Sequence, residues 1–375
     1  IACAGTDAAL LDNLEEFLVS TLGKGVVRAK DTPNFIANRI GVFSMLATKH
    51  HAQAFGLGFD TVDALTGRYL GRPKSATFRT LDVVGLDVFA HVVNTMRENL
   101  TDDPWHKHFE LPGWFNRLVD QGALGQKAKR GVYQKIGKEI HVLDIHTDAY
   151  RLSDSKVDDA VKEILRERDW AKKLAGLRSN PHPQAQFLWA AFRDVFHYCA
   201  LQLESIADNA RDLDFAVRWG FGWDNGPFEI WQAAGWQQVA GWISADIAAG
   251  KSMATVSLPA WVTEPSRAGV HTAQGSFAPS PLTPLPQAGE GGAQRREREP
   301  QYQPRSQLSV YRRQLFPDRL LGEAAHYGET IFENDSLRMW HTGDDIAILS
   351  FKTKMHAISN EVLDGILRAV DEAEA

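Results

Sequence analysis

The chain has 375 residues, of which 44% are hydrophobic, and it carries a formal net charge of −6. A chain of this length can bury more than one core, so we expect two or three domains. The acidic balance argues against a nucleic-acid-binding protein, whose surface would be basic. No apolar run reaches about 18 residues, so we expect no membrane span. Two cysteines are too few for a disulfide framework or a thiolate metal site, so we predict no metal and a reducing, cytoplasmic compartment.

The first part of the chain predicts two helices with a short strand between them. Residues 7–22 place apolar side chains at helical spacing, and VVRA at residues 26–29 is typical of a strand. Thr32 and Pro33 form a helix-start signal, in which Thr32 caps the helix and Pro33 occupies its first turn. The apolar pattern from residue 34 to about residue 55 then predicts a long buried helix.

A later stretch repeats this organisation. Residues 62–85 align with residues 213–235 if one single-residue gap is allowed, and long helical patterns precede them at residues 34–55 and about 185–209. Duplicated helical units usually pack on one another, because one unit alone cannot cover its apolar face. We therefore expect two copies packed within the chain about a pseudo-two-fold axis; the alternative is chance similarity of two amphipathic helices. The aligned pairs are Val62 with Leu213, Asp63 with Asp214, Gly71 with Gly222, Phe78 with Phe228 and Gly85 with Gly235.

The last third of the chain changes in character. Residues 263–305 are rich in Pro, Gly, Gln and charge, which predicts a flexible linker because such a segment cannot bury enough apolar surface. Residues 344–351 then predict a strand, and residues 359–375 predict a helix capped by Ser359.

Asn38 is the most informative single residue. It lies in the first turns of the long helix, where a strand, a capped turn and a helix would bring it to a domain boundary. A neutral carboxamide there can donate to a carbonyl oxygen and accept from a hydroxyl, without adding charge to a hydride-transfer site. On spacing alone, the alternative is that Asn38 only ties two backbone segments together.

Residues 30–40 (KDTPNFIANRI) resemble the Asp-Thr-Pro-Gly-Phe-Ile-Val-Asn-Arg motif of 3-hydroxyacyl-CoA dehydrogenases. In that family the motif follows the nucleotide-binding domain, and its Asn lies beside the substrate and a catalytic His-Glu pair. The resemblance therefore implies a catalytic and substrate-binding role for Asn38. Asn34 replaces the Gly of the family motif, and Asn tolerates unusual backbone angles better than most residues.

Residues 125–133 (GQKAKRGVY) resemble the Gly-Lys-Lys-Thr-Gly-x-Gly-Phe-Tyr segment that closes the first helical domain of the same family. The resemblance implies that Lys127 reaches the NAD cofactor. A solvated basic turn is the alternative. Residues 226–229 (GPFE) also match a family signature, whereas residues 75–78 of the first repeat depart from it. AILSFKTKMHAISNEVLDGI, which begins at residue 347, resembles the start of an enoyl-CoA hydratase (crotonase) domain.

The resemblance implies a mainly α fold: a duplicated helical dehydrogenase C-terminal domain, similar to that of 6-phosphogluconate dehydrogenase, with a short β element at each end. It implies NAD-dependent oxidation of a 3-hydroxyacyl-CoA in fatty-acid β-oxidation, with an acyl-CoA substrate and a possible homodimer. The expected domains are the tail of a Rossmann domain at 1–30, a first helical domain at 31–136, a connector and second helical repeat at 137–262, a flexible linker at 263–305 and the start of a crotonase-like domain at 306–375.

Other features limit the activity expected of the sequence as it stands. No Gly-x-Gly-x-x-Gly follows a strand, and no His lies in a context like that of the catalytic His of the family. The first residue is Ile1 and the last residues continue an amphipathic pattern, so we interpret the chain as an internal piece of a longer enzyme, inactive alone. Two alternatives stay open: a dehydrogenase of free β-hydroxyacids, and a non-catalytic acyl-CoA-binding or oligomerisation module.

Overall fold

The computed structural model describes residues 1, 5–272, 275–279, 301–302, 328–341, 343, 346–353 and 357–374. The chain divides into two compact units, residues 1–322 and residues 323–375. The first unit is mainly helical, as the sequence predicts, and each unit has a hydrophobic core of its own.

The first unit begins with helix α1 (Ala8–Glu16), which continues as a π-helical turn (Phe17–Thr21). The strand predicted at residues 26–29 is wrong, because only Ala29 pairs there, in an isolated bridge to Ala207. In the part of the chain that the structure describes, no strand lies beside this segment. It runs along the end of a later helix instead, where the backbone N–H of Lys30 donates to the carbonyl oxygen of Ile206.

The long helix α2 (Ala37–Ala54) begins later than its predicted cap. Thr32 does not cap it, since residues 33–36 form a turn that separates Thr32 from the helix. Asn34 and Phe35 in that turn have positive φ angles of 64° and 51°. Asn tolerates this conformation, so the turn forms although the family's Gly is replaced.

Short helices and a sheet complete the first helical part. The helices are α3 (Phe59–Thr66), α4 (Phe78–Val84), α5 (Leu86–Asn99) and α6 (Gly113–Asp120). An antiparallel sheet that the sequence analysis did not predict follows, with strands β1 (Tyr133–Ile136), β2 (Glu139–Asp144) and β3 (Ala149–Leu152) in the order β1-β2-β3.

The second helical part is built around one helix of 24 residues. The elements are α7 (Asp159–Arg166), α8 (Trp170–Ser179), the long α9 (Pro183–Ile206), α10 (Ala210–Phe221), α11 (Pro227–Ala233), α12 (Trp236–Ala248) and α13 (Ala260–Thr263).

Helices α2 and α9 pack against each other and join the two helical parts. Arg39 near the start of α2 meets Tyr198, whereas His51 near its end meets Asp194, so the two helices run antiparallel. The Phe43 and Tyr198 rings stack with centroids 3.7 Å apart. The apolar residues of both parts therefore form one continuous core.

Positions that align in the sequence have matching local geometry. Asp63 accepts hydrogen bonds from the backbone N–H groups that begin α4, and Asp214 does the same at the start of α11. Gly71 and Gly222 both adopt left-handed backbone angles at φ 65°. The pseudo-two-fold axis itself stays a prediction.

The predicted linker at residues 263–305 needs correction at its start. Val270 and His271 are buried, and their backbone N–H groups donate to Oε1 of Gln232 in α11. Two short strands follow, β4 (His271–Thr272) and β5 (Gly275–Phe277), and β5 pairs with β6 (Gln301–Tyr302). The prediction was wrong here because it rested on the average composition of the segment, which does not reveal a few residues that pack against α11. Residues 273–274, 280–300 and 303–305 lie outside the described residues.

Within its described residues, the second unit contains a three-stranded antiparallel sheet and one helix. The elements are β7 (Glu329–Glu333), β8 (Leu337–His341), β9 (Ala347–Phe351) and α14 (Asn360–Glu374). The predicted final strand and helix are confirmed, and the backbone N–H of Val362 donates to the Ser359 hydroxyl. In neither unit is any described helix long and apolar enough to cross a bilayer.

Candidate functional site

Asn38 lies in the first turn of α2 with its side chain exposed. The turn before it is held to α5, because Asn34 Nδ2 donates to the backbone carbonyl oxygen of Val92 (3.2 Å). Phe35 in the same turn is 44% exposed, which is high for an aromatic side chain. A polar amide and an aromatic ring are therefore both accessible from solvent at this end of α2.

Arg39, the next residue, is buried, and its side chain anchors the first turn of α2 to neighbouring elements. Its Nε donates to the Tyr198 hydroxyl (2.6 Å), and its Nη2 donates to Gln202 Oε1 (2.9 Å). Nη2 also pairs with Asp103 Oδ2 at 3.1 Å. Removing one partner of such a buried pair is strongly destabilising, since it leaves an uncompensated charge. The backbone that carries Asn38 is thus fixed by residues of α9.

Lys127 lies in a 3₁₀ turn (Gln126–Ala128) and is exposed. Its Nζ donates to both carboxylate oxygens of Asp87, at 2.7 and 2.6 Å. This bond to Lys127 is the main cause that lowers the pKa of Asp87. Lys127 is therefore already ion-paired, and a cofactor phosphate would have to displace Asp87.

Lys127 and the turn before Asn38 are both attached to the first half of α5. Asp87 and Val92 are about 8 Å apart along the helix, at a rise of about 1.5 Å per residue. Around Asp87 the surface is apolar, since Val83, Val84 and Val88 are 56%, 47% and 47% exposed. An exposed apolar surface with a few polar groups is typical of interaction and ligand sites. We define the candidate site as this surface together with Asn38 and Lys127.

Two buried acids, which the sequence analysis did not assign to the site, hold the backbone of the elements next to it. Asp63 accepts hydrogen bonds from Thr77, Phe78 and Arg79 N–H groups and from the Tyr133 hydroxyl, and burial raises its pKa to about 7. Asp82 accepts from the N–H groups of Val132 and Tyr133, and burial raises its pKa to about 6. For Asp63, the alignment with Asp214 was the available signal.

The comparisons with known proteins bear on this region directly. Residues 35–135 match the family described as "3-hydroxyacyl-CoA dehydrogenase, C-terminal domain". The expected resemblance is confirmed. The matched segment contains both Asn38 and Lys127, and a mainly helical fold is what this family implies.

Relatives extend the similarity beyond that segment. A Bacillus subtilis (strain 168) protein named "Probable 3-hydroxyacyl-CoA dehydrogenase" is 33% identical over 369 residues, which is 98% of this chain and 43% of the relative. A Deinococcus radiodurans protein of the same name is 43% identical over 134 residues, covering 36% of this chain and 38% of the relative. A fatty acid oxidation complex trifunctional enzyme of Rickettsia prowazekii is 28% identical, over 61% of this chain and 32% of the relative. The chain thus spans less than half the length of each of these relatives.

Proposed function

We propose that this chain is the helical C-terminal region of an NAD-dependent 3-hydroxyacyl-CoA dehydrogenase, which oxidises 3-hydroxyacyl-CoA to 3-oxoacyl-CoA in fatty-acid β-oxidation. One observation carries the proposal: the match to the dehydrogenase C-terminal domain covers residues 35–135 and therefore both candidate site residues. The similarity to the Bacillus subtilis relative along nearly the whole chain supports it further.

Asn38 is the residue that we propose to contact the substrate. Its exposed carboxamide can donate a hydrogen bond to a substrate carbonyl oxygen and accept one from a hydroxyl. Arg39 beneath it is fixed at three side chains, which limits the movement of the turn that carries Asn38. Such preorganisation is what allows one hydrogen bond to favour a transition state.

Lys127 is the residue that we propose to reach the cofactor. NAD, when bound, accepts the hydride from the substrate carbon. Lys127 fits a role in binding it only if its ammonium leaves Asp87 for a phosphate oxygen, and both groups are exposed enough to rearrange. The chain's own contribution to the cofactor site is then one mobile cation at the edge of an apolar surface.

Two further proposals concern organisation. The two helical parts are two copies of one unit, which the equivalent contacts of Asp63 and Asp214 support. The second unit begins an enoyl-CoA hydratase domain, which the order of β9 and α14 supports. A cytoplasmic location and a homodimer remain predictions from the sequence.

The decisive experiment measures NADH oxidation by the full-length protein with acetoacetyl-CoA as substrate. We expect turnover with acetoacetyl-CoA and not with free 3-oxoacids. Asn38→Ala should lower kcat by about 10²–10³, because removing one donor from an oxyanion-type site has this effect. NAD affinity should stay unchanged, since Asn38 acts at the substrate.

The matched control is Asn116→Ala, which removes an exposed Asn from the first turns of α6. Its kcat should equal that of the unmodified protein. An unchanged kcat for Asn38→Ala would return Asn38 to a structural role. Preference for free acids would favour a dehydrogenase of free β-hydroxyacids. Absence of any NADH-dependent turnover would favour a non-catalytic acyl-CoA-binding module.

A further inference from the structure

A cleft opens at the end of α2 away from Asn38. Its walls are the last turns of α2, the start of α6 and the turn between β2 and β3, and its volume is about 600 Å³. Small-molecule sites commonly have volumes of about 300–1,000 Å³. Asn38 and Lys49, which lines the cleft, are about 16 Å apart along the helix axis at a rise of about 1.5 Å per residue. The residues that line the cleft include none of the candidate dehydrogenase site, so the cleft is separate from that site.

The floor of the cleft is apolar and aromatic. The Phe59 and Trp114 rings lie with centroids 4.8 Å apart, and Leu57, Leu143 and Ile145 complete the apolar lining. A second, smaller pocket adjoins the cleft at Trp114 and is lined by apolar atoms alone. Such a floor can cover the hydrocarbon or aromatic body of a ligand.

The rim of the cleft carries three basic residues, Lys49, Arg117 and Arg151, and one acidic residue, Asp144. Lys49 is half-buried, and its Nζ donates to a neutral acceptor, the backbone carbonyl oxygen of Glu110 (3.2 Å). Burial is the main cause that lowers the pKa of Lys49, and it forms no ion pair with the residues that the structure describes. Arg151 and Arg117 also line the cleft, although each is paired, with Asp60 and Asp148.

The start of α6 adds to this positive field. The helix begins at Gly113 beside the cleft, and Pro112 at its N-cap has no side chain that could accept from the first N–H groups. The uncapped end of a helix favours negative charge. Lys49 and this helix end thus attract an anion to the same side of the aromatic floor.

We propose that this cleft binds an amphipathic anion, with its acidic head at Lys49 and the start of α6 and its apolar body on Phe59 and Trp114. Among the described residues, Lys49 forms no ion pair and has only a longer-range attraction to the Glu110 carboxylate, so a bound carboxylate or phosphate would stabilise its charge. An apolar chain would in turn cover the aromatic floor. Neither a small inorganic anion nor a neutral lipid satisfies both parts of the cleft.

The test is calorimetric titration of the full chain with dodecanoate, below the concentration at which it forms micelles. Dodecanol, with the same body and no charge, should bind at least about tenfold more weakly, and so should acetate, with the head alone. Lys49→Gln should weaken dodecanoate binding by about ten- to a hundredfold, as expected for a charge-assisted hydrogen bond. Dodecanoyl-CoA distinguishes the two sources of this chemistry: tighter binding assigns the cleft to acyl-CoA, and weaker binding assigns it to free acids.

Matched controls locate the binding. Lys138→Gln removes an exposed lysine from the turn between β1 and β2 and should leave the Kd unchanged, as should Asn38→Ala. The result for Asn38→Ala also separates this inference from the proposed dehydrogenase function, which does not require the cleft. Equal affinity for dodecanol and dodecanoate would overturn the proposal, as would a folded Lys49→Gln chain with unchanged affinity. If Lys49→Gln does not fold, the comparison of dodecanol with dodecanoate on the unmodified chain still decides.

Discussion

The segments around Tyr133 and His271 close the two helical parts in the same way with different side chains. In the first, Asp82 accepts hydrogen bonds from the N–H groups of Val132 and Tyr133. In the second, Gln232 Oε1 accepts from the N–H groups of Val270 and His271. The ring at the last position of each segment then bonds to the acid that accepts hydrogen bonds from the first N–H groups of α4 or α11. The Tyr133 hydroxyl donates to Asp63 at 2.8 Å, and His271 Nε2 bonds to Asp214 at 2.9 Å.

The two segments share the same backbone hydrogen bonds but differ in the side chains that accept them. Both segments read Gly-Val followed by a ring that can donate a hydrogen bond, at residues 131–133 and 269–271. The backbone needs one acceptor and one ring donor, and a carboxylate or an amide can be that acceptor. The charge of the acceptor differs, so the two parts should respond differently to substitution and to pH.

The largest expected effect is on the acids that begin α4 and α11. Asp63→Ala leaves three backbone donors without their acceptor, whereas Asp214→Ala leaves two. At about 1 kcal/mol or more per stranded donor, Asp63→Ala should lower the free energy of unfolding by about 3 kcal/mol and Asp214→Ala by about 2 kcal/mol. Urea denaturation followed by circular dichroism measures both. A loss for Asp63→Ala that is equal to or smaller than the loss for Asp214→Ala would contradict this count of backbone donors.

A smaller effect should come from the glycines of the two Gly-Val pairs. A Cβ on Gly131 would overlap the buried Asp82 carboxylate, and the backbone of Gly125 lies beside it at 2.6 Å. The three nearest atoms that a Cβ on Gly269 would meet all belong to the Gln232 side chain, which is half-buried and could move away only by giving up its hydrogen bonds to Val270 and His271. Overpacking costs about 1–3 kcal/mol, so Gly131→Ala should lie at the upper end of that range and Gly269→Ala at the lower. Equal midpoints in thermal unfolding would contradict this difference.

The subtlest effect is on pH dependence. Burial raises the pKa of Asp82 from 3.8 to about 6, so the folded chain holds this proton more tightly than the unfolded chain does. The contribution of Asp82 to the free energy of unfolding is therefore greatest below pH 4 and falls as the pH rises to about 6. Asp82→Asn should remove this fall, changing the slope by up to about 1.4 kcal/mol per pH unit.

Denaturation at pH 4, 5, 6 and 7 tests the slope. The control is Asp102→Asn at an exposed position, which should leave the slope as it is. Position 232 of the second part already carries an amide, so the variant makes the first part resemble the second. A slope unchanged by Asp82→Asn would show that the buried carboxyl does not titrate in this range.

Local patterns were sufficient for much of the fold and for the choice of Asn38. The helix patterns at 34–55 and about 185–209 correspond to α2 and α9, because long apolar periodicity depends on residues close in the chain. The motif at residues 30–40 predicted a resemblance to 3-hydroxyacyl-CoA dehydrogenases, and the match over residues 35–135 confirmed that resemblance. The substrate role of Asn38 remains a proposal.

The amino-acid sequence by itself determined the long helices, the alignment of residues 62–85 with residues 213–235 and the resemblance to 3-hydroxyacyl-CoA dehydrogenases, since each depends on near neighbours or on a motif. Only the tertiary structure decided that Thr32 is not a cap, that residues 26–29 have no strand beside them in the described part of the chain and that residues 270–271 are buried. It also decided that Lys127 is ion-paired with Asp87, 40 positions earlier in the chain. These outcomes depend on partners distant in sequence, which composition and periodicity do not reveal.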